Sequence, residues 1–316
     1  RILRKILSVI LPRPTLFRLA LIGARLAKPF KGVFHGRLRA MLDMAPRKIE
    51  TRSALDEVQQ HPAASGIRKY RVVLMTGCAQ KVLSPEINDA TIRLLTRHDV
   101  EVIIPKSAGC CGALSLHMGD EGPAKILAKK NIQAWHEEAS GDGLDAIIIN
   151  TSGCGTTVMD YGHLFANDPD LSIKAKVVAD LAQDITVFMS TIELKAEKFQ
   201  SDLRVAYHSA CSLQHGQRVT DAPKALLAKA GFNVLTIPEA HICCGSAGTY
   251  NLLQPELSGK LKSRKAKNIA SVYPDLVAAG NIGCIAQIGS EMNVPVIHTV
   301  QLLDWATGGD KPKELA

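Results

Sequence analysis

Eight cysteines in a chain of 316 residues carry the first clue to its chemistry. Cys110 and Cys111 stand side by side in AGCCGA at 108–113, and the doublet returns as Cys243 and Cys244 in ICCGSA at 242–247. Cys78, Cys110, Cys111 and Cys154 are followed by Cys211, Cys243, Cys244 and Cys284. The first three intervals between the sets are each 133 residues, and the last is 130. Four thiolates brought to one point make a zinc site or an iron–sulfur site. Structural zinc favours closely spaced C-x2-C knuckles, which the sequence lacks. Separations of about 30 to 40 residues instead suit a site assembled by a large domain. The glycines beside each doublet leave room for inorganic sulfide, and nearby amides can hydrogen-bond sulfur. Iron–sulfur chemistry is therefore favoured over zinc. Buried free cysteines and a thiol–disulfide enzyme are the other readings; duplication of the whole set argues against the first, and absence of C-x-x-C against the second.

The segments between the cysteines repeat as well. RVVLMTGC at 71–78 matches RVAYHSAC at 204–211, VEVIIP at 100–105 matches NVLTIP at 233–238, and AKKNI at 128–132 matches KAKNI at 265–269. IINTSGC at 148–154 parallels VAAGNIGC at 277–284. In the first unit, short apolar β-branched runs predict buried strands over 71–75, 100–104 and 146–150, with helices over 88–96 and 123–138. The second unit predicts strands near 203–207, 233–237 and 276–279. Alternating strands and helices predict an α/β fold of two tandem Rossmann-like parallel βαβ repeats. Each single cysteine and each doublet then follows the carboxyl end of a strand, where open α/β sheets bind ligands. Three loops per repeat would deliver four thiolates.

A basic helical segment precedes the repeats. Ile2, Leu3, Ile6, Leu7, Ile10 and Leu11 form an apolar stripe opposite Arg1, Arg4 and Lys5; Pro12 and Pro14 interrupt it, and 16–26 resumes the pattern. Residues 44–68 read as a polar connector. The expected division is 1–68 for this segment and connector, 69–198 for the first cysteine-rich repeat and 199–316 for the second. Residues 1–42 hold ten Lys or Arg and no acid, so the net charge of +8 is local to the N-terminus. With aromatics at 4%, the chain offers neither a body-wide basic footprint nor stacking platforms, and nucleic-acid binding is not expected. Clustered thiols without a secretory signal favour a reduced, cytoplasmic setting. The basic N-terminus is suited to an anionic membrane surface or to a protein partner.

The layout C…CCG…C, present twice, resembles the CCG cysteine-rich domain shared by heterodisulfide reductases and the glycolate oxidase iron–sulfur subunit. GCAQ at 77–80, TSGCG at 151–155, LQH at 213–215, HICCGSAGTY at 241–250 and NIGC at 281–284 are closer to the second. LPRPTLFR at 11–18 resembles the segment preceding its repeats. The resemblance implies an electron-transfer subunit carrying one cluster per repeat, of the 4Fe-4S type. Flavoprotein partners holding FAD would oxidise glycolate to glyoxylate, and electrons would pass on to a quinone or membrane acceptor. No substrate site is expected on this chain, which lacks a G-x-G-x-x-G fingerprint after a strand. A peripheral position on the inner face of the cytoplasmic membrane, through residues 1–34, is part of that expectation. Alternatives are a heterodisulfide reductase-like or lactate-oxidising complex, and a zinc-stabilised non-redox scaffold. The wider family often has a fifth cysteine in each motif; Thr151 and Asn281 stand there instead, and four thiolates suit an ordinary cubane. Members of the glycolate group also carry an N-terminal ferredoxin-like domain, so the chain resembles a fragment.

Other residues invite two readings each. His208 and His215 flank Cys211, and His241 precedes Cys243; packing or a supporting place beside a cluster is favoured over ligation. Tyr161 and Tyr250 either pack near the clusters or fill core. Lys129, Lys130, Lys265 and Lys267 either offset anionic clusters or form a solvated helix face.

Overall fold

The structure, a computed structural model, describes residues 2–46, 48–196 and 199–315. Two sheets carry the chain. The first contains β1 (Gln59–His61), β2 (Tyr70–Met75), β3 (Val100–Ile104), β4 (Ala146–Ile149) and β5 (Ala182–Asp184), in the order β1-β3-β2-β4-β5. The second contains β6 (Arg204–His208), β7 (Asn233–Leu235), β8 (Leu276–Ala279) and β9 (Val296–His298), in the order β7-β6-β8-β9. Every pairing is parallel except β1 against β3. The strand order reverses beside β2 and again beside β6, the crevice where such sheets place ligands.

The strand sequences explain why they are buried on both faces. Val72 and Leu74 enter one apolar cluster and Val73 and Met75 another, following the two-residue alternation of a strand. The cluster around Val72 and Leu74 also contains Val205, Tyr207, Leu276 and Ala278 of the second sheet. Between the sheets lie helices Glu86–Arg97, Ile185–Ser190, Ala222–Lys229 and Thr299–Ala306. Glu86–Arg97 packs on Thr299–Ala306, and Ile185–Ser190 packs on Ala222–Lys229, so each repeat's early helix meets the other repeat's late one. Arg93 and Arg97 both pair with the buried carboxylate of Asp304 across this junction.

Several expectations are corrected. The connector 44–68 contains β1, which hydrogen-bonds the free edge of β3 and covers it. The strand expected over 233–237 ends at Leu235. β5 and β9 had no signal, since three residues are too few to display a period. Of the division set at 198/199, Lys198 lies outside the described residues and Phe199 within them; Arg1 of the N-terminal stripe lies outside them too. Helices Ile2–Ile10 and Pro14–Ala27 form on either side of the break at Pro12, with Pro14 preorganising the first turn of the second. Leu7 and Leu11 are buried, and Ser8 donates to Asp120 at 2.9 Å, whereas Ile2, Ile6, Leu19 and Leu26 are exposed. Among the described residues no single helix is long and apolar enough to cross a membrane.

Candidate metal centre

All eight cysteines are free thiols, gathered into two sets by the strand ends. Cys78 follows β2, Cys110–Cys111 follow β3 and Cys154 follows β4; the second repeat copies this with β6, β7 and β8. One detail differs from the expectation of three loops. Cys154 and Cys284 lie in the first turns of helices Ser152–Met159 and Ile282–Gly289, where the positive end of the helix dipole favours a thiolate. Cys211 caps a single π-helical turn, Ser212–Gly216.

Within the sets the sulfurs touch. Cys211 Sγ lies 3.9 Å from Cys243 Sγ. Cys110 is held down to about 4 because the thiols of Cys111 and Cys78 donate to it, while the same contact pushes Cys78 and Cys111 up. Cys243 is likewise held down to about 2 by Cys211 and Cys244, and Cys284 to about 6 by Cys244. Cys211 and Cys244 are pushed up by their contact with Cys243. Four adjacent thiolates would repel strongly in this buried setting unless a cationic centre stood among them. Such a donor set, soft and all-sulfur, fits an iron–sulfur cluster.

The doublets owe their shape to glycine. Gly112 and Gly245 adopt φ of +85° and +87°. A Cβ on Gly112 would stand 2.7 Å from the Ala124 carbonyl, and one on Gly245 2.5 Å from that of Ser258. Space for sulfide is thus not the structural reason for these glycines; a left-handed turn pressed against a helix is. That turn aims amides at sulfur: Gly112 N at Cys110 Sγ (3.5 Å), Ala113 N at Cys111 Sγ (3.4 Å) and Gly245 N at Cys243 Sγ (3.3 Å).

Polar side chains fix the loops. Asn131 accepts from Gly109 N at 2.7 Å and donates to the Cys110 carbonyl at 3.1 Å, and Tyr161 donates to the Cys111 carbonyl at 2.8 Å. Buried Gln80 donates to Asn88 and Asn150, both at 2.7 Å, and accepts from Thr151 at 2.6 Å, tying the Cys78 loop to the Cys154 helix. Sequence reasoning gave no sign of this network, although Gln80 stands in the motif GCAQ. Thr151 and Asn281 precede the helices of Cys154 and Cys284; Asn281 accepts from Gly283 N at 2.8 Å and donates to Ser152 at 3.0 Å. His215 and His241 are exposed, as are Lys129, Lys130 and Lys267, while His208 and Lys265 are buried.

The two sets adjoin. Ser152, two residues before Cys154, shares a hydrogen bond of 2.8 Å with Ser212, the neighbour of Cys211. Thr156 donates to the Ser212 carbonyl at 3.0 Å and Gln217 to the Ser152 carbonyl at 2.8 Å. Gly155 and Gly216 permit this approach, since a Cβ on either would strike Gln217 or Thr156.

The cysteine-rich domain family named CCG matches residues 72–159 and 205–289, more than half of the chain. The glycolate oxidase iron–sulfur subunit of Escherichia coli is 32% identical over 306 residues, spanning 97% of this chain and 72% of that protein. The chain belongs to the glycolate oxidase iron–sulfur subunit family. Lactate utilization protein A of Shouchella clausii is 26% identical, with 74% of this chain and 98% of that protein covered. A crystal structure of a hypothetical protein from Helicobacter pylori shares the fold, with a TM-score of 0.52 and 11% identity over 82% of this chain and 53% of that one. Family and geometry agree: the close cysteine sets suit iron–sulfur clusters as the cofactors of this protein.

Proposed function

We propose that this chain is the electron-relay subunit of a glycolate-oxidising complex, with Cys78, Cys110, Cys111 and Cys154 holding one 4Fe-4S cluster and Cys211, Cys243, Cys244 and Cys284 a second. The observation that carries the reading is the duplicated four-thiol set, whose two copies meet through Ser152 and Ser212. An iron–sulfur cluster supplies one-electron storage and transfer. The chain's own work is to supply sulfur, to aim amides at it, to exclude water from most of the cysteines and to keep the two sites side by side. The name of the E. coli relative, a subunit of glycolate oxidase, supports glycolate as the substrate of the complex; flavoprotein partners that hold FAD and oxidise it to glyoxylate, and a quinone as final acceptor, belong to the same proposal. Likeness to lactate utilization protein A supports lactate as the second candidate substrate of the complex. Peripheral contact with the inner face of the cytoplasmic membrane is assigned to residues 1–34, supported by exposed Ile2, Ile6 and Leu26 beside exposed Arg4, Lys5 and Arg25.

Anaerobically purified protein mixed with the flavoprotein subunits tests this. Glycolate should bleach the cluster absorbance only when those subunits are present, and lactate in its place marks the second reading. Zinc without iron or sulfide overturns both.

A further inference from the structure

The duplication allows the surroundings of the two cysteine sets to be compared position by position. Strand β2 ends in Met75, and its counterpart in β6 is His208. In the matched helical segments AKKNI and KAKNI, Ala128 corresponds to Lys265. The first set is thus lined at these two places by Met75 and Ala128, both buried and uncharged. Its doublet is held by neutral Asn131 and Tyr161.

The second set has different neighbours. His208 is 1% exposed, neither ring nitrogen has a hydrogen-bond partner, and the ring lies within 4.8 Å of the sulfurs of Cys244 and Cys284. A buried imidazole with no partner is costly unless something at the site accepts its N–H. Lys265 is 0% exposed and donates to the carbonyls of Glu239 at 2.9 Å and Ala240 at 3.3 Å, just ahead of the doublet. Burial opposes its charge, and the sulfurs of Cys244, Cys243 and Cys284 favour it. Solvent reaches the second set more readily too: Cys211 and Cys243 are half-buried, whereas Cys154 alone is so in the first.

We infer that His208 and Lys265 make the two sites unequal, so that a cluster held by the second set is the more easily reduced. This rests on the reading that each set holds an iron–sulfur cluster. Reduction adds one electron and no atoms, so the reduced form carries one more negative charge. An ammonium and an N–H donor close by stabilise that form over the oxidised one, and so does water at the more open site. At the matching positions the first site carries Met75 and Ala128, neither of which offers a charge or an imidazole N–H, and it holds its charge at greater cost.

The test is a redox titration of the full chain carrying both clusters, followed by electron paramagnetic resonance, with iron and sulfide assayed on the same samples. Two separate midpoints are expected. His208→Met installs the first repeat's residue, and Lys265→Met keeps the buried stem while removing the charge. Each should lower the higher midpoint and leave the lower one in place, at unchanged iron and sulfide content, and Lys265→Arg should retain the wild-type value. Equal midpoints in the wild type, an unmoved higher midpoint in both Met variants, or a joint shift of the two overturns the inference while leaving the clusters themselves intact. A chain that carries zinc and no sulfide overturns the cluster reading and this inference with it.

Discussion

At Gly112 and Gly245 the obstacle to a side chain is a carbonyl far along the chain, of Ala124 or Ser258, and this sets what substitution there must do. An alanine pays about 1–2 kcal/mol for the left-handed conformation, and its Cβ then pushes the doublet away from the helix. Gly112→Ala and Gly245→Ala should each lower unfolding free energy by at least that amount and reduce iron bound per chain. Gly109→Ala, which meets nothing within 4 Å and keeps an ordinary φ, should do neither. Denaturant unfolding and iron assay check the three together. Gln80→Leu leaves Asn150 Oδ1 and the Thr151 hydroxyl without their Gln80 partner, whereas Asn88 Oδ1 still accepts from Asn150, and should cost about 1–3 kcal/mol for each group left unsatisfied. At this scale the ligand candidates were legible, because thiols at duplicated spacing announce themselves in one dimension. The reason for the glycines was not: their clash is with residues that only folding brings near. His208 and Lys265 were visible as residue types, but their burial beside sulfur was not.

Strands β5 and β9 are each three residues long and end in a residue that caps the next helix, Asp184 or His298. Asp184 accepts from Thr186 N at 2.8 Å; His298 accepts from Val300 N through Nδ1 at 3.1 Å and donates from Nε2 to the Asn150 carbonyl of the other repeat at 2.8 Å. Neither cap could be read from sequence, since AQD and VIH carry no period. Burial pushes Asp184 up to about 6 and His298 down to about 4. The signs oppose. Asp184 binds its proton more tightly when folded, so its contribution is fully present below 3.8 and lost as pH rises through 6. His298 binds its proton less tightly when folded, so its contribution is present above 6.5 and lost as pH falls towards 4. Each swing is roughly 3 kcal/mol, at about 1.4 kcal/mol per unit, and the two largely cancel between those limits. Asp184→Asn should therefore expose a loss of stability, relative to wild type, as pH falls from 6.5 to 4.5. His298→Asn should expose a relative gain over the same range. Denaturant unfolding at stepped pH measures both, and parallel curves for wild type and the variants would contradict the assignment.

Two repeats in sequence suggest two folding units, yet the apolar residues are distributed otherwise. Val72 and Leu74 of the first sheet share a cluster with Val205, Tyr207, Leu276 and Ala278 of the second, through helices that each repeat lends to the other's side. The fold class was legible because βαβ alternation is local, whereas this exchange depends on packing between segments some two hundred residues apart. Asp304 shows the consequence most clearly: 1% exposed on a late helix of the second repeat, it is paired only with Arg93 and Arg97 of an early helix in the first, among its salt bridges within the described residues. Neither repeat alone can satisfy that carboxylate or cover its share of the core, so the chain should unfold in one transition, with circular dichroism and cluster absorbance coincident. Asp304→Ala strands two partly exposed guanidinium groups, for which water compensates in part, and should cost about 2–3 kcal/mol, below the range for a wholly buried pair. Residues 69–198 expressed without 199–315 should expose the faces of Leu94 and Leu95 and fail to give a cooperative transition. A separated first repeat that unfolds cooperatively with the stability of the whole would show that the shared cluster contributes nothing to holding the two sites together.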